Sequence, residues 1–164
     1  MPDKPTTIRP ATPSDRDFIA ATLIREFAST QIWSRRQPFE AMDLPALVAL
    51  QGGERVGVAV YRVDHAETEL LALAATHRQS GAGSLLLQAV IDTARQHGSK
   101  RLFLTTTNDN LDALRFYQRR GMRLVALHVG AMDEARRAKP TIPEIGSYGI
   151  PMRDDLELEI VLSS

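Results

Sequence analysis

The sequence of this chain predicts an α/β fold (α+β in some schemes), in which helices pack on the faces of a mixed sheet. Three observations lead to this prediction. Two apolar runs flank a turn that contains Gly52 and Gly53, which is typical of a β-hairpin. A glycine-rich turn and a long amphipathic segment follow the continuously apolar residues 70–75. From there, short apolar segments alternate with helical patterns to the end of the chain.

The first elements are a short strand and the start of a helix. Residues 1–6 predict a loose tail, and residues 7–10 predict a first strand. Thr12 predicts a helix N-cap, because Pro13 suits the first helical position and Asp15 follows three residues after the cap.

The next residues predict one helix and then an irregular segment. Ile19, Leu23 and Phe27 recur at every fourth position, which is the spacing of a helix with one buried face. Residues 31–45 show no such period and contain two prolines. We therefore expect a loop or a broken helix there.

The centre of the chain predicts three strands in succession. Residues 46–50 and 55–63 are the two arms of the hairpin. Residues 69–75 are apolar on both faces, which is typical of a central buried strand. Leucine and alanine also favour helices, but the hairpin before this segment and the glycine turn after it favour a strand.

The remaining elements continue this alternation. Apolar residues at helical spacing predict a helix over residues 81–97, which ends at Gly98. Further predicted elements are a strand at 101–106, a helix at 111–120, a strand at 124–129 and a half-exposed strand at 156–162. In the last strand, apolar residues alternate with Glu157 and Glu159, so these glutamates are expected on the exposed face.

The charge balance excludes some classes of partner. The 164 residues include 20 basic and 20 acidic side chains, so the net charge is zero. Nucleic acids and anionic membranes reward clustered positive charge, and we expect neither as a main partner. No apolar run is long enough for a membrane helix, and the first residues lack the apolar core of a signal peptide. We expect a soluble, cytoplasmic protein with one domain over residues 7–164.

Cysteine and histidine usage excludes several kinds of site. The chain has no cysteine, which excludes disulfides, thiolate zinc sites and a cysteine nucleophile. His65, His77, His97 and His128 fall on different predicted elements, without the spacing of metal ligands on one helix. We therefore expect no metal site.

A glycine-rich turn, residues 78–84, lies between the predicted buried strand and the following helix. Glycines at such a junction let backbone N–H groups converge, and the helix adds its positive end, so a phosphate or pyrophosphate is the expected ligand. A tight turn without a ligand is the alternative. A dinucleotide fingerprint is excluded because Leu86 stands where a third glycine is needed. A P-loop is excluded because no lysine follows Gly83.

This turn and a later segment resemble motifs of a known family. Residues 78–83, Arg-Gln-Ser-Gly-Ala-Gly, resemble the Q/R-x-x-G-x-G/A motif of the GNAT family of acyl-CoA-dependent N-acetyltransferases. Residues 110–122 resemble that family's N-x-x-A-x-x-F-Y-x-x-x-G-F segment, with Met122 in place of the usual phenylalanine. In element order the resemblance covers the whole chain, and it is firmest over residues 70–127.

The resemblance implies a fold and a reaction. The implied GNAT fold is a mixed, mostly antiparallel sheet that is splayed between two central strands and flanked by helices. The implied reaction is transfer of an acetyl group from acetyl-CoA to a primary amine, by direct attack in a ternary complex. The absence of cysteine agrees with direct transfer rather than a cysteine acyl-enzyme.

The resemblance also implies which residues bind the cosubstrate. The glycine turn would hold the CoA pyrophosphate on its N–H groups, and the central strand would pair with the pantetheine arm. The start of the helix at 111–120 would hold the far side of the CoA. The residues so implied are Leu71, Ala72, Leu73, Arg78, Gln79, Ser80, Gly81, Ala82, Gly83, Ser84, Asn110, Ala113 and Tyr117.

Two residues are candidates for the chemistry. Tyr117 is implied to donate a proton to the departing CoA thiolate, and the alternative is that Phe116 and Tyr117 only anchor a helix. Neighbouring helical side chains diverge by about 100°, so we expect Phe116 to face the core and Tyr117 to face the CoA. Glu69 is the candidate base for the proton of the amine, because it begins the central strand, where the resemblance implies an acidic residue. Glu67 shares its face if the strand extends, and solvated charges at a strand end are the alternative for both.

Two segments are expected to border the acceptor site in members of this family. They are residues 27–39 and the long connection 130–155, and a connection of that length is more often functional than idle. The candidate substrate-binding residues are Phe27, Trp33, Glu144 and Tyr148. The expected acceptor is a small-molecule or peptide amine, and a homodimer is a further candidate assembly.

Two other functions stay open from the sequence alone. A non-catalytic acyl-CoA-binding or regulatory module can share the same scaffold, because fold does not fix function. The presence of both Asn110 and Tyr117 favours the enzyme. A protein-binding α/β domain without a cosubstrate is the third interpretation.

Overall fold

The structure is a computed structural model that describes residues 4–76 and 81–162. The described residues form two compact units. The first unit contains residues 4–32, 39–76, 81–102 and 162, and the second contains residues 33–38 and 103–161. Within the described ranges, no helix is long and apolar enough to cross a membrane.

The described residues include the following elements. The strands are β1 (Thr6–Pro10), β2 (Gln31–Ser34), β3 (Gln37–Glu40), β4 (Ala46–Gln51), β5 (Glu54–Asp64), β6 (Glu67–Ala75), β7 (Arg101–Thr107), β8 (Arg123–His128) and β9 (Asp155–Val161). The α-helices are α1 (Arg16–Phe27), α2 (Ala82–Gln96), α3 (Leu111–Arg119) and α4 (Ala131–Ala138). Short 3-10 helices lie at Pro13–Asp15, Ala41–Asp43 and Ser147–Gly149.

The first unit is built on antiparallel strands in the order β1-β4-β5-β6. On one face, Ile19 and Leu23 of α1 pack in a core cluster with Val58. On the other face α2 lies close to β5, because a Cβ atom on Gly57 would stand 3.0 Å from Cδ1 of Leu86. Neighbouring strand residues point to opposite faces, so Gly57 and Val58 place the two helices on opposite sides of the sheet.

The entry to α1 is fixed by a buried carboxylate. Thr12 is the N-cap of the turn that leads into α1, as the sequence predicts. Asp15 is fully buried, and its carboxylate accepts the Thr12 N–H at 2.7 Å. Arg9 and Arg55 each donate to the same carboxylate at 2.7 Å. The turn is thereby joined to β1 and β5 by two ion pairs.

The second unit contains β7, β9 and β8, which lie side by side in that order. β8 and β9 are antiparallel, with a register shift between Leu124 and Ala126. Helix α3 follows β7 and packs against β8. The tip of the β2–β3 hairpin, residues 33–38, also belongs to this unit.

The structure confirms the predicted arrangement of a mixed, mostly antiparallel sheet with flanking helices. The predicted hairpin is β4–β5, and the predicted central strand is β6. The predicted helices at 81–97 and 111–120 are α2 and α3. These elements have strong local signals, namely a glycine turn, a continuous apolar run and helical spacing.

Two predictions about loops are wrong. Residues 31–45 contain β2, β3 and a 3-10 helix, although no period marks them. The turn between these strands has left-handed φ angles of 47° at Arg35 and 67° at Arg36. Asn-Gly is the usual sequence signal for such a turn, and its absence leaves the hairpin without a recognisable pattern. The connection 130–155 contains α4, whose eight mostly polar residues are too short for a clear apolar period.

Candidate functional site

The glycine turn is described from Gly81 onward, and Arg78, Gln79 and Ser80 lie outside the described residues. Gly81 is the N-cap of α2 and has a left-handed φ of 81°, a conformation that glycine adopts without strain. The helical ladder begins where the Leu85 N–H donates to the Gly81 carbonyl at 3.2 Å. The first turn of α2 carries no acidic side chain, so the positive end of the helix is not neutralised locally.

The other implied residues of this turn open α2. Ala82 is fully buried, and Gly83 and Ser84 follow it in the first helical turn. A turn of this shape, with small residues at a helix N terminus, can hold a phosphate group.

The central strand β6 contains an irregularity that the sequence did not reveal. Ala72 pairs with Val60 of β5, but the next pair joins Tyr61 to Leu70, so Leu71 has no partner in β5. Leu73 is paired with Ala59. Bulges of this kind occur next to active sites, where they redirect backbone groups out of the regular ladder.

Glu69 stands at the first part of β6, and its surroundings differ from those of a solvated strand end. Its side chain is 1% exposed, and Oε1 accepts a hydrogen bond of 2.8 Å from Nε of Arg62. Arg62 in turn lies over the ring of Phe39, with 4.7 Å between the guanidinium carbon and the ring centroid. The carboxylate is therefore buried beside a positive charge.

In the second unit, the start of α3 is fixed by Asn110. This residue is the N-cap of the helix, and its side-chain oxygen accepts the N–H of Ala113 at 3.2 Å. The interaction joins two residues that the sequence assigned to CoA binding. It also gives Asn110 a structural role at the helix start.

The burial of Tyr117 and Phe116 differs from what the sequence predicts. Tyr117 is the buried residue of α3, with 9% exposure, whereas Phe116 is only half-buried. The expectation that Phe116 takes the core face is therefore wrong. Arg120 stacks on the Phe116 ring at 3.7 Å, which covers that side chain from outside. The sequence separates the two faces of the helix but does not say which face is covered.

The Tyr117 side chain suits a proton donor in two respects. Burial raises the pKa of Tyr117, so the phenol stays protonated at neutral pH. Its hydroxyl group makes no hydrogen bond with another described residue. Its ring meets Phe116 edge-on, with 5.1 Å between centroids, which fixes its orientation.

The four candidate acceptor residues lie on different elements of the structure. Phe27 is the exposed last residue of α1 in the first unit. Trp33 lies in β2, and Glu144 lines a surface cavity of about 540 Å³ together with Arg137 and Arg153. Tyr148 is not among the residues that line this cavity.

Tyr148 is held in an unusual conformation by a network that sequence reasoning missed. Its φ is 58°, and its hydroxyl group donates a 2.6 Å hydrogen bond to Asp112. Asp109 accepts the N–H of Ser147 at 2.7 Å, and Asn108 accepts the N–H of Arg153 at 2.9 Å. Polar residues before α3 and in its first turn thus hold the loop that carries Tyr148, and only the tertiary fold shows this.

A second missed cluster lies on β9. Asp155 and Glu157 are 8% and 7% exposed, so the expectation that the acidic face of this strand is the exposed one is wrong for Glu157. Oε1 of Glu157 lies 3.2 Å from Nε2 of His128 and 3.7 Å from Nη2 of Arg35. The alternation of acidic residues in the sequence shows that they share a face, but not what covers it.

Asp155 is the less compensated carboxyl group of this pair. Burial raises the pKa of Asp155 to about 6, an effect that neighbouring His128 opposes and Asp154 reinforces. His128 is directly opposite Asp155 in the β8–β9 register.

The chain resembles known proteins in both sequence and structure. A family model described as the acetyltransferase (GNAT) family matches residues 14–122. The protein YdhI of Bacillus subtilis (strain 168) is 37% identical over 119 residues, which cover 72% of this chain and 74% of YdhI.

Two solved structures are similar over nearly the whole chain. An IAA acetyltransferase from Bacillus cereus ATCC 14579 has 25% identity and a TM-score of 0.73, covering 96% of this chain and 100% of its own. A Bacillus subtilis acetyltransferase in complex with CoA has 20% identity and a TM-score of 0.78, covering 97% of this chain and 100% of its own. At 20% identity the second likeness shows the fold alone.

Proposed function

The chain belongs to the acetyltransferase (GNAT) family, and we propose that it transfers an acetyl group from acetyl-CoA to a primary amine by direct attack in a ternary complex. The observation that carries the proposal is the bulge at Leu71 in β6, which precedes the glycine turn and α2 in the first unit. This combination provides backbone groups for an amide-containing arm and a helix N terminus for phosphate.

The bulge supports binding of the pantetheine arm. Pantetheine carries amide groups that can pair with a strand as another strand would. Leu71 lies outside the ladder with β5, whereas Ala72 and Leu73 on its carboxyl side are paired there. We assign the pantetheine contact to this part of β6.

The N terminus of α2 supports binding of the pyrophosphate. Gly81 supplies the left-handed turn, and the absence of an acidic side chain in the first helical turn leaves the helix dipole available to an anion. In the proposal, residues 78–84 hold the pyrophosphate.

We assign to Tyr117 the role of proton donor to the departing CoA thiolate. The amine nitrogen attacks the carbonyl carbon of the thioester, the C–S bond breaks, and the sulfur leaves as a thiolate. A protonated phenol that has no hydrogen-bond partner among the described residues is suited to give its proton to that thiolate. After the attack the nitrogen carries a positive charge and gives its second proton, through water, to the Tyr117 phenolate, which restores the phenol as the amide product forms.

We assign to Glu69 the role of accepting a proton from the attacking amine. A primary ammonium must lose one proton before its nitrogen can attack, and a carboxylate can accept it directly or through a water molecule. The hydrogen bond from Arg62 fixes the Glu69 carboxylate in one position. The assignment of Glu69 to this role rests on its place near the start of β6, where the family resemblance implies an acidic residue.

The proposal is tested by measuring thiol release from acetyl-CoA over a panel of primary amines, with calorimetry of CoA binding on the same protein. We expect micromolar to millimolar CoA binding and amine-dependent thiol release with at least one amine. Tight CoA binding without release on any amine would favour a non-catalytic acyl-CoA-binding module. No CoA binding at millimolar concentration would contradict both the acetyltransferase and the acyl-CoA-binding module.

A further inference from the structure

Two acidic side chains on β9 form a buried negative face in the second unit. Asp155 and Glu157 are two residues apart on one strand, so their side chains lie on the same face. Both are more than nine-tenths buried. Carboxylates are rarely buried to this extent unless a cation compensates them.

The compensation on this face is incomplete. Glu157 has His128 at 3.2 Å and Arg35 at 3.7 Å. The Asp155 carboxyl group receives no hydrogen bond from another described residue, although it is 8% exposed. The Asp155 oxygens are not among the fully buried, unpartnered atoms of the described residues, so solvent reaches them and an incoming cation can supply the donor that this carboxyl group lacks.

The cation now on this face comes from a strained turn. Arg35 lies at the tip of the β2–β3 hairpin, and its φ of 47° and that of Arg36, 67°, are both left-handed. Neither residue is glycine, and such conformations persist only where other contacts hold them. Arg35 also stacks over Phe103 of β7, with 4.0 Å from the guanidinium carbon to the ring centroid. The Arg35 guanidinium therefore joins the tip of the hairpin to β7 and β9.

We propose that Asp155 and Glu157 bind the ammonium group of a cationic acceptor, and that this ammonium displaces the Arg35 guanidinium from Glu157. The assignment of the ligand as an acceptor rests on the proposed acetyl transfer. An alkylammonium ion offers the three N–H donors that Asp155 lacks, and Phe103 provides an aromatic face for its charge. Release of Arg35 also allows the turn to leave its strained conformation.

The hairpin contains its own reporter for this displacement. Trp33 is the one tryptophan of the sequence and lies in β2, two residues before Arg35. Movement of the tip should therefore change tryptophan emission. We would titrate the full chain, without acetyl-CoA, with 1,4-diaminobutane and in parallel with butane-1,4-diol, a neutral analogue of the same length.

The expected result is saturable emission change with the diamine and none with the diol. Arg35→Met should tighten diamine binding by on the order of 10-fold, because the internal competitor is gone. Glu157→Gln should weaken it by at least about 10-fold, because a neutral amide replaces the charge. Asp155→Asn should weaken it as well, and it removes no hydrogen bond present in the described structure, so folding should survive.

Arg36→Met is the matched control. Arg36 shares the strained turn, but its side chain is 81% exposed and pairs with Glu134 on α4. This variant should bind the diamine as the wild type does. Equal tightening in Arg35→Met and Arg36→Met would show that the turn alone is responsible, and wild-type diamine affinity in Glu157→Gln would overturn the inference.

The diamine-binding test and the thiol-release test distinguish failure of the cation site from failure of the proposed acetyl transfer. Diamine binding that depends on Arg35 and Glu157, in a protein that releases no thiol with any amine, supports the cation site and contradicts the proposed transferase. Thiol release with 1,4-diaminobutane whose KM is unchanged in Glu157→Gln supports the transferase and contradicts the cation site.

Discussion

Nε of Arg62 lies 2.8 Å from Oε1 of Glu69, and the two side chains are 15% and 1% exposed. The carboxylate proposed to accept the amine proton is therefore half of a buried ion pair. Breaking a buried pair by removing one charge is more damaging than breaking an exposed pair, because the remaining charge has lost its compensation.

Glu69→Gln should lower the free energy of unfolding by about 1–3 kcal/mol, because water cannot replace the charge-assisted hydrogen bond of a side chain that is 1% exposed, although Arg62 keeps Asp64 at 3.3 Å. Urea unfolding measures the loss. Glu67→Gln is the matched control, since Glu67 makes a 2.8 Å ion pair with Arg101 but is 34% exposed. Its loss should be under about 1 kcal/mol. Equal losses in the two variants would contradict this account of the pair.

A variant of Arg62, the partner of Glu69 in the ion pair, separates the catalytic role of Glu69 from its structural role. If Glu69 accepts the amine proton, Glu69→Gln should lower kcat by on the order of 100-fold. Arg62→Met breaks the same ion pair but keeps the carboxylate, so its kcat should fall much less. Similar kcat values in the two variants would remove Glu69 from the chemistry.

Tyr117→Phe should lower kcat by on the order of 10–1000-fold with little change in acetyl-CoA affinity, because it removes one hydroxyl group and preserves the packing. Tyr61→Phe is the control: Tyr61 is equally buried, at 9% exposure, and burial also raises the pKa of its phenol. Its kcat should stay at the wild-type value. Steady-state thiol release and CoA calorimetry check both variants, and unchanged turnover in Tyr117→Phe would contradict its assignment.

Gly81→Val should weaken acetyl-CoA binding by on the order of 10-fold or more, because a β-branched residue is strained at a φ of 81° and the turn must change shape. Gly130→Val is the matched control. Gly130 has a φ of 75° and is also the N-cap of a helix, and an added Cβ atom has open space at both glycines. Both variants should lose similar stability, and only Gly81→Val should lose CoA affinity in calorimetry. Equal CoA affinity in the two variants would contradict the proposal that the turn binds the CoA pyrophosphate.

Asp15 should make the stability of the protein depend on acid pH. The hydrogen bond from Arg9 holds the pKa of Asp15 below its usual value, with further help from the Thr12 N–H and Arg55 and against the opposing effect of burial. The stabilisation is thus fully present above the unfolded-state pKa of about 4, and it is lost progressively as pH falls from there towards the lower pKa of folded Asp15.

Asp15→Asn should therefore cost about 2–4 kcal/mol at neutral pH and much less at pH 2–3. Urea unfolding of both proteins over this pH range measures the difference. A gap between wild type and variant that stays constant with pH would show that the charge of Asp15 does not stabilise the turn.

Much of the fold was predictable because its signals are local. The Gly52-Gly53 turn predicts the β4–β5 hairpin, and the continuous apolar run predicts β6. The described part of the first motif, residues 81–83, opens α2, and the second motif runs along α3, as the sequence predicts. The β2–β3 hairpin was not predicted because its turn has left-handed φ angles at Arg35 and Arg36, and arginine rarely adopts such angles.

The sequence by itself determined the order of the main strands and helices, the family motifs and which residues share a face of one element, because periodicity and turn chemistry act over a few neighbouring residues. Tertiary structure alone decided that Leu71 is bulged, that Tyr117 rather than Phe116 is buried, and that Glu157 is covered by Arg35. Those outcomes depend on partners far along the chain. A local pattern defines two faces, and only the packing against distant residues decides which one is covered.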